Sequence, residues 1–143
     1  MSVQETKYKV FRQNLLYPEL SFRTNKALFE TYRQIGGDCQ EKYIQKAVAL
    51  SLHKEGLLFR EQVYVPRTFD QVVIGKCFLD FLVENVIILE LKRGKFVPYN
   101  VIDQTKKYLT ALNLELGIIA CFTANGVFPK RIINVKKFTQ KIS

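Results

Sequence analysis

The spacing of apolar side chains predicts a first helix near the start of the chain. From Phe22 to Ile35, residues on one face recur every three to four positions. Pro18 is expected to prevent an earlier start, and Ser21 fits the N-cap position. Gly36 supplies the break that commonly ends a helix.

A second helix follows, with a wider apolar stripe in residues 43–52 and an end at Gly56. Asp38 and Glu41, three residues apart, fit a capping box at its start. A stripe of this width is typical of a helix that packs on a sheet.

β-Forming residues dominate the middle of the chain. Residues 57–65 predict a strand that stops at Pro66, and residues 69–74 predict a second extended piece before a bulge or bend at Gly75. Further along, a third helix is predicted after Pro98, and two more strands flank a hairpin signal at residues 125–126. This order predicts a mixed sheet with helices packed on it.

Three charged side chains interrupt two apolar strands, Lys76–Val83 and Val86–Lys92. Asp80 lies within the first strand, and Glu90 and Lys92 close the second. Because unpaired charge inside a sheet is costly, three charges at this place need a reason.

The register of this hairpin decides whether the charges meet. If the numbers of paired residues sum to 170, Asp80 lies opposite Glu90 and the connection has three residues, 84 to 86. A sum of 169, with a two-residue turn, would put the two side chains on opposite faces. A shared site therefore requires the three-residue connection or a bulge.

Two carboxylates held this close repel, so one takes a proton unless a cation joins them. Asp80, Glu90 and the backbone carbonyl of Leu91 are oxygen ligands of the kind that Mg²⁺ takes. Such a metal would activate water and polarise a phosphodiester, and Lys92 would position that water or stabilise the transition state. The alternative is structural: Glu90 and Lys92 form a same-face ion pair worth under about 1 kcal/mol, and Asp80 accepts hydrogen bonds from a loop.

Composition limits the class of protein. The 143 residues, 48% hydrophobic and 24% charged, suit one globular domain, 1–143, with an N-terminal extension at 1–20 and a loose basic tail at 136–143. The net charge of +9 favours a polyanionic partner. No membrane-spanning run or signal-peptide core is present, so a cytoplasmic protein is expected. Three scattered cysteines and a single histidine argue against a zinc ribbon, a disulfide framework or a Ser-His-Asp triad.

Several short sequence motifs lie between about Leu15 and Asn134. Each is weak alone, but their order and spacing together are fairly specific. They are Leu16-Tyr17-Pro18-Glu19-Leu20-Ser21, Ile35-Gly36-Gly37, Gly37-x-x-Gln40-x-x-Tyr43 with Ala47, Phe78-Leu79-Asp80-Phe81-Leu82-Val83, Glu90-Leu91-Lys92, Asp103-Gln104 with Tyr108-Leu109, and Lys130-Arg131-Ile132-Ile133. This order resembles the PD-(D/E)XK nuclease superfamily and, within it, the small GxxExxY proteins.

The resemblance implies an α/β fold, a restriction-endonuclease-like αβββαβ core with helices on a mixed sheet. It implies a Mg²⁺ or Mn²⁺ site with Asp80 and Glu90 as ligands and Lys92 as the catalytic lysine. Gln104 would support the metal ligands or contact a phosphate; alternatively, it caps a strand carbonyl.

The chain departs from the family signature at Gln40, where the motif has Glu. Gln40 can offer an amide oxygen or hold a metal-bound water, but it lacks the negative charge. Glu41 lies about 100° further round the helix and is interpreted as a capping residue. Tyr43 is interpreted as a packing residue whose hydroxyl reaches toward the site, and Gln62 as a further neighbour of the site.

Three functions remain open. The first is a Mg²⁺-dependent endonuclease that hydrolyses phosphodiester bonds in DNA, or less favourably RNA; a homodimer would make it easier to cut both strands. The second is a nucleic-acid-binding module of the same fold with a decayed site, and the third is a non-enzymatic interaction protein. The cations that would hold a nucleic-acid backbone are Arg93, Lys95, Lys106, Lys107, Lys130 and Arg131.

Overall fold

A computed structural model describes residues 16–135, so the expected tail at 136–143 and most of the N-terminal extension lie outside the described residues. The helices are α1 (Pro18–Ile35), α2 (Glu41–Lys54) and α3 (Tyr99–Leu112). The strands are β1 (Phe59–Phe69), β2 (Val72–Val83), β3 (Ile87–Arg93), β4 (Leu116–Thr123) and β5 (Gly126–Ile133).

The five strands form one mixed sheet in the order β1-β2-β3-β4-β5. Three neighbouring pairs are antiparallel, whereas β3 and β4 are parallel because α3 crosses over between them. Pro129 lies on β5, an edge strand, as predicted. The predicted mixed sheet with packed helices is confirmed.

Helices cover both faces of the sheet. Leu28 of α1 and Ile44 of α2 belong to one buried cluster, which also holds Leu89 and Leu91 of β3. A second cluster forms under α3 and includes Ile88. Since side chains alternate along a strand, Glu90 and Lys92 share the α3 side of β3 with Ile88. Among residues 16–135, no helix is long and apolar enough to cross a membrane.

Helix α1 begins at Pro18, earlier than predicted. Tyr17 is the N-cap residue, and the Ser21 N–H donates to the Tyr17 carbonyl at 2.8 Å within the first turn. The prediction that the helix does not start before Pro18 is confirmed. The prediction of Ser21 as the N-cap residue was wrong, because Pro18 itself occupies the first helical position, which needs no N–H partner and suits proline.

Helix α2 begins at Glu41, with Gln40 rather than Asp38 as the N-cap residue and no side-chain capping bond. The predicted capping box was therefore wrong: Asp38 stands two residues outside the cap, too early to bond the first turn. The buried face of α2 includes Ile44 and Val48.

The β1–β2 hairpin is longer than predicted, and most of it extends past the sheet. β1 continues through Pro66, because an edge strand tolerates a missing N–H. Residues 70–71, both with positive φ, form the turn. The pairing shifts between Arg67 and Thr68, which places a bulge beside Gly75 as predicted. Only residues 81–83 of β2 pair with β3, so within residues 16–135 the outer part of the hairpin bonds to no third strand.

Candidate active site

The connection between β2 and β3 determines which side chains meet. The Val86 N–H donates to the Val83 carbonyl at 3.0 Å, around a turn at residues 84–85 with φ of 51° and 59°. The ladder nevertheless starts with Val83 opposite Ile87, which leaves Val86 as an extra residue. The paired numbers thus sum to 170, the register that a shared site requires, and the next step brings Asp80 opposite Glu90.

Where β2 and β3 separate, hydrogen bonds to the carboxylates of Asp80 and Glu90 take the place of backbone–backbone hydrogen bonds. Backbone pairing stops at Phe81 opposite Leu89. Beyond that pair, the Asp80 N–H donates to Glu90 Oε1 at 3.0 Å, and the Leu91 N–H donates to Asp80 Oδ2 at 2.8 Å. Each carboxylate is therefore fixed by the backbone of the opposite strand, and Asp80 Oδ1 and Glu90 Oε2 take no part in these two bonds.

The strand on the other side of Asp80 is irregular at the same level. Gln62 stands between the pairs Glu61–Phe81 and Val63–Leu79 and has a φ of 50°, which is unusual for a side-chain-bearing residue. Its side chain hydrogen-bonds Asp80, an interaction that lowers the Asp80 pKa. The structure thus places Gln62 beside Asp80, where the sequence interpretation expected a site neighbour.

Burial dominates the electrostatics of the pair. It is the largest cause of the raised pKa of Asp80, and it raises the pKa of Glu90 to about 8 with the Asp80 charge as the next cause. Glu90 is only 7% exposed. Without a cation, a proton on Glu90 is therefore favoured at neutral pH.

Lys92 lies two residues after Glu90 on the same face of β3 and is half-buried. Its positive charge lowers the pKa of both Asp80 and Glu90. Among the described residues it lies within ion-pair distance of no carboxylate. The alternative of a Glu90–Lys92 ion pair is therefore not observed, and the ammonium group is available for a ligand.

The start of α2 approaches the pair through Glu41 rather than Gln40. The charge of Glu41 raises the pKa of both Asp80 and Glu90, whereas Gln40 is the exposed N-cap residue. One turn further, the Gln45 amide donates to the Asp80 carbonyl at 3.4 Å. Interpreting Glu41 as a capping residue was wrong, because no side-chain hydrogen bond caps the start of α2.

Comparison with known proteins places this geometry in a family. The sequence model of the PD-(D/E)XK nuclease superfamily matches residues 18–133, a span that contains Asp80, Glu90 and Lys92. The chain belongs to the PD-(D/E)XK nuclease superfamily. No curated protein matches it. Superfamily membership and the mixed sheet together confirm the predicted restriction-endonuclease-like fold.

Two solved structures align with this superfamily member at low sequence identity. The crystal structure of SSO0001 aligns with a TM-score of 0.54 at 17% identity, covering 71% of this chain and 57% of that one. An alkaline exonuclease (LHK-Exo) from Laribacter hongkongensis aligns with a TM-score of 0.46 at 16% identity, covering 66% of this chain and 56% of that one. The chain thus spans less than two thirds of either protein.

Tyr108 of α3 is a site neighbour whose role the sequence interpretation missed. Burial raises its pKa, and the nearby Cys77 and Glu90 raise it further, with a smaller effect of Asp80. The apolar stripe of α3 predicted that Tyr108 faces the sheet. The sequence indicated a polar role only through the hydroxyl group that Tyr108 carries within that stripe.

Two of the residues expected near the superfamily site lie at its margins or outside it. Gln104 lines a groove between α3 and the β1–β2 hairpin, and among the described residues it caps no strand carbonyl by hydrogen bonding. Tyr43 is 51% exposed, with Lys42 Nζ 5.0 Å from its ring centre, so the expectation that it packs in the core was wrong. It directly precedes Ile44, with which the buried face of α2 begins before continuing at Val48, and its own side chain lies on the outer face.

The six cations proposed for nucleic acid are spread over the molecule. Arg93 and Lys95 are exposed just beyond Lys92. Lys130 lies opposite Ile119, which itself pairs with Glu90, so it is about 10 Å across the sheet from Glu90. Arg131 was wrongly assigned to a ligand surface: it donates to Ser21 Oγ at 2.8 Å and to the Leu16 carbonyl at 2.9 Å. The remaining two, Lys106 and Lys107, line the groove beside α3.

Proposed function

We propose that this protein is a divalent-metal-dependent endonuclease that hydrolyses phosphodiester bonds in DNA. Asp80 and Glu90 are the metal ligands and Lys92 is the catalytic lysine. The observation that carries the proposal is the reciprocal hydrogen bonding that holds the two buried carboxylates together across the hairpin. Membership in a nuclease superfamily supports it.

The donor set fits a hard divalent cation such as Mg²⁺ or Mn²⁺. It offers two oxygen-ligand carboxylates whose pKa values are raised chiefly by burial, so that a bound cation would favour their ionised forms. Leu91 donates its N–H to Asp80, and its carbonyl is proposed as a further ligand. Among the described residues no third acidic, histidine or cysteine side chain joins the group, so water and substrate oxygens would complete the shell. When bound, the cation supplies Lewis-acid polarisation of the phosphodiester.

Lys92 provides the fixed positive charge. Its half-buried ammonium group shares a face with Glu90 and is not paired with a carboxylate in the described part of the chain. In such a position it stabilises the negative charge that develops on the phosphate and orients the attacking water. Gln62 and the Leu91 N–H keep Asp80 in place through hydrogen bonds.

Within the superfamily, we place the chain with the GxxExxY proteins. A Cβ atom at Gly37 would lie 2.1 Å from the Thr123 carbonyl oxygen, so only glycine fits this signature position. Gln40 stands where the signature has Glu, and Glu41 is the acidic residue that acts on the pair.

A second candidate function is a nucleic-acid-binding module without turnover. Two observations favour it: Gln40 lacks the charge of the signature glutamate, and no three potential metal ligands converge within residues 16–135.

Cleavage of plasmid and of circular single-stranded DNA with Mg²⁺ or Mn²⁺ tests the proposal, since only an endonuclease opens a closed circle. Asp80→Ala and Lys92→Ala should each lower the rate by about a hundredfold or more, as loss of electrostatic stabilisation does. Lys54→Ala, an exposed change at the far end of α2, is the matched control. Equal rates in all four proteins would contradict the assignment, and DNA binding without cleavage would support the second candidate.

A further inference from the structure

The outer part of the β1–β2 hairpin and α3 enclose a groove of about 830 Å³. Residues 65–69 of β1 form one wall together with Ile74 and Cys77 of β2, and residues 100–111 contribute to the other. Because the outer hairpin pairs with no third strand, this groove lies beside the sheet rather than inside the core.

The groove combines cations with exposed apolar side chains. Three positive residues, Arg67, Lys106 and Lys107, line it against the single carboxylate of Asp103, which lies 3.1 Å from Lys107 Nζ. Phe69, near the tip of the hairpin, is 67% exposed. A cationic groove with an exposed aromatic ring is the arrangement that binds unpaired nucleotides, since the cations hold phosphates and the ring stacks on bases.

The inner end of the groove leads to the carboxylate pair. Cys77 lines the groove and precedes Asp80 by three residues of β2, about 10 Å along a strand. Tyr108 lines it from α3 and belongs to the same buried cluster as Ile88, which shares the α3 side of β3 with Glu90.

We propose that this groove binds a single strand of nucleic acid and guides it to Asp80 and Glu90. That the ligand is a nucleic acid rests on the proposed nuclease function. The new element is that the ligand is single-stranded. The groove volume falls within the range of about 300–1,000 Å³ found for small-molecule sites, which is enough space for a few nucleotides. Stacking on Phe69 also requires bases that are not already paired.

The charge of the chain argues against a second copy of the same protein as the occupant. The groove carries an excess of positive side chains, and the whole chain has a net charge of +9. Two such surfaces repel each other, whereas a phosphate backbone is attracted.

Binding measured in EDTA separates this proposal from catalysis. Fluorescence anisotropy would compare a short oligothymidine strand with a blunt duplex of the same length, using the full chain. We expect tighter binding of the single strand, and about fivefold to a hundredfold weaker binding after Phe69→Ala or Arg67→Ala. The matched controls are Phe128→Ala, a 56% exposed ring on β5, and Lys54→Ala, and both should bind as the wild type does.

Equal affinity for duplex and single strand, or groove variants that bind like the controls, would overturn the groove proposal. A groove variant that changes the oligomeric state in size-exclusion chromatography but not strand binding would also overturn it, in favour of a second copy. Thermal melting confirms that each variant is folded.

Cleavage assays distinguish failure of this proposal from failure of the nuclease function. If Asp80→Ala abolishes cleavage while Phe69→Ala and Arg67→Ala cut and bind normally, only the groove proposal fails. If the groove variants lose strand binding but Asp80→Ala cuts normally, the groove stands and the assigned catalytic site fails.

Discussion

Asp80 and Glu90 oppose each other's ionisation in a buried position. The pKa of Glu90 rises to about 8 from 4.5, so between these values the folded chain binds a proton that the unfolded chain has released. The free energy of unfolding therefore falls as the pH rises through this window, and the loss is complete above pH 8. A bound divalent cation would reverse this effect by favouring both ionised carboxylates.

Glu90→Gln should therefore stabilise the metal-free protein increasingly as the pH rises from about 5 to 9. The substitution keeps an oxygen that accepts the Asp80 N–H but removes the buried charge. The gain at pH 9 should be on the order of a few kcal/mol, measured by thermal unfolding in EDTA across this pH range. Glu61→Gln, on exposed β1, should show no such trend. A gain for Glu90→Gln that is independent of pH would contradict the electrostatic argument.

At the scale of elements, the position of α2 depends on a close contact between the preceding loop and the end of β4. Gly37 packs so tightly on Thr123 that a Cβ atom would approach the backbone carbonyl to 2.1 Å. The Tyr32 hydroxyl donates to the same carbonyl at 2.9 Å. Since α2 carries Glu41 and Gln45 toward the carboxylate pair, this contact also positions the site.

Gly37→Ala should lower the free energy of unfolding by about 1–3 kcal/mol, because the added methyl group forces the loop away from β4. Urea denaturation measures the change. Gly75→Ala is the matched control, since its Cβ would meet Arg67 at an ordinary 3.7 Å. Equal stability of the two variants would show that the loop moves away from β4 at no cost in free energy. The contact would then not position α2.

The sequence predicted those elements whose signals are local. The helix–helix–strands–helix–strands order followed from periodicity. The short connection between the two charged strands left two registers open, and the structure has the one that pairs the carboxylates. The passage of β1 through Pro66 was missed because it depends on that strand lying at the edge of the sheet. The turn at residues 70–71 was missed because neither residue is Gly or Asn, which most often adopt positive φ.

The site was predicted only in part because its members come from separate elements. Asp80, Glu90 and Lys92 belong to one hairpin, so alternation reduced the question to two registers, and the structure has the one that brings the carboxylates together. The approach of Glu41 depends on how α2 packs across the sheet, which no local pattern encodes. The anchoring of Arg131 to the start of α1 likewise joins distant parts of the chain.

At the scale of the whole molecule, the excess of positive charge favours a polyanionic partner, and part of it lies where a strand would have to pass. The chain carries a net charge of +9, and Lys106 lines the groove that leads to the carboxylate pair. Electrostatic attraction of this kind releases counterions from nucleic acid, so affinity must fall as salt rises.

Lys106→Ala should reduce the salt dependence of single-strand binding. Each phosphate contact that is lost should lower the slope of log K against log[salt] by about 0.7, as determined by anisotropy titrations at several KCl concentrations. Lys54→Ala should leave the slope unchanged. An unchanged slope after Lys106→Ala would mean that this lysine contacts no phosphate.

Calorimetric titration with Mn²⁺ at about pH 8 tests the central claim most directly, namely that Asp80 and Glu90 are metal ligands. Near this pH, a proton on Glu90 competes only weakly with the metal ion. We predict saturable binding by the wild type, loss of binding in Asp80→Asn, and binding like the wild type in Asp103→Asn, whose carboxylate belongs to α3 and pairs with Lys107. An Asp80→Asn isotherm identical to that of the wild type would contradict the assignment.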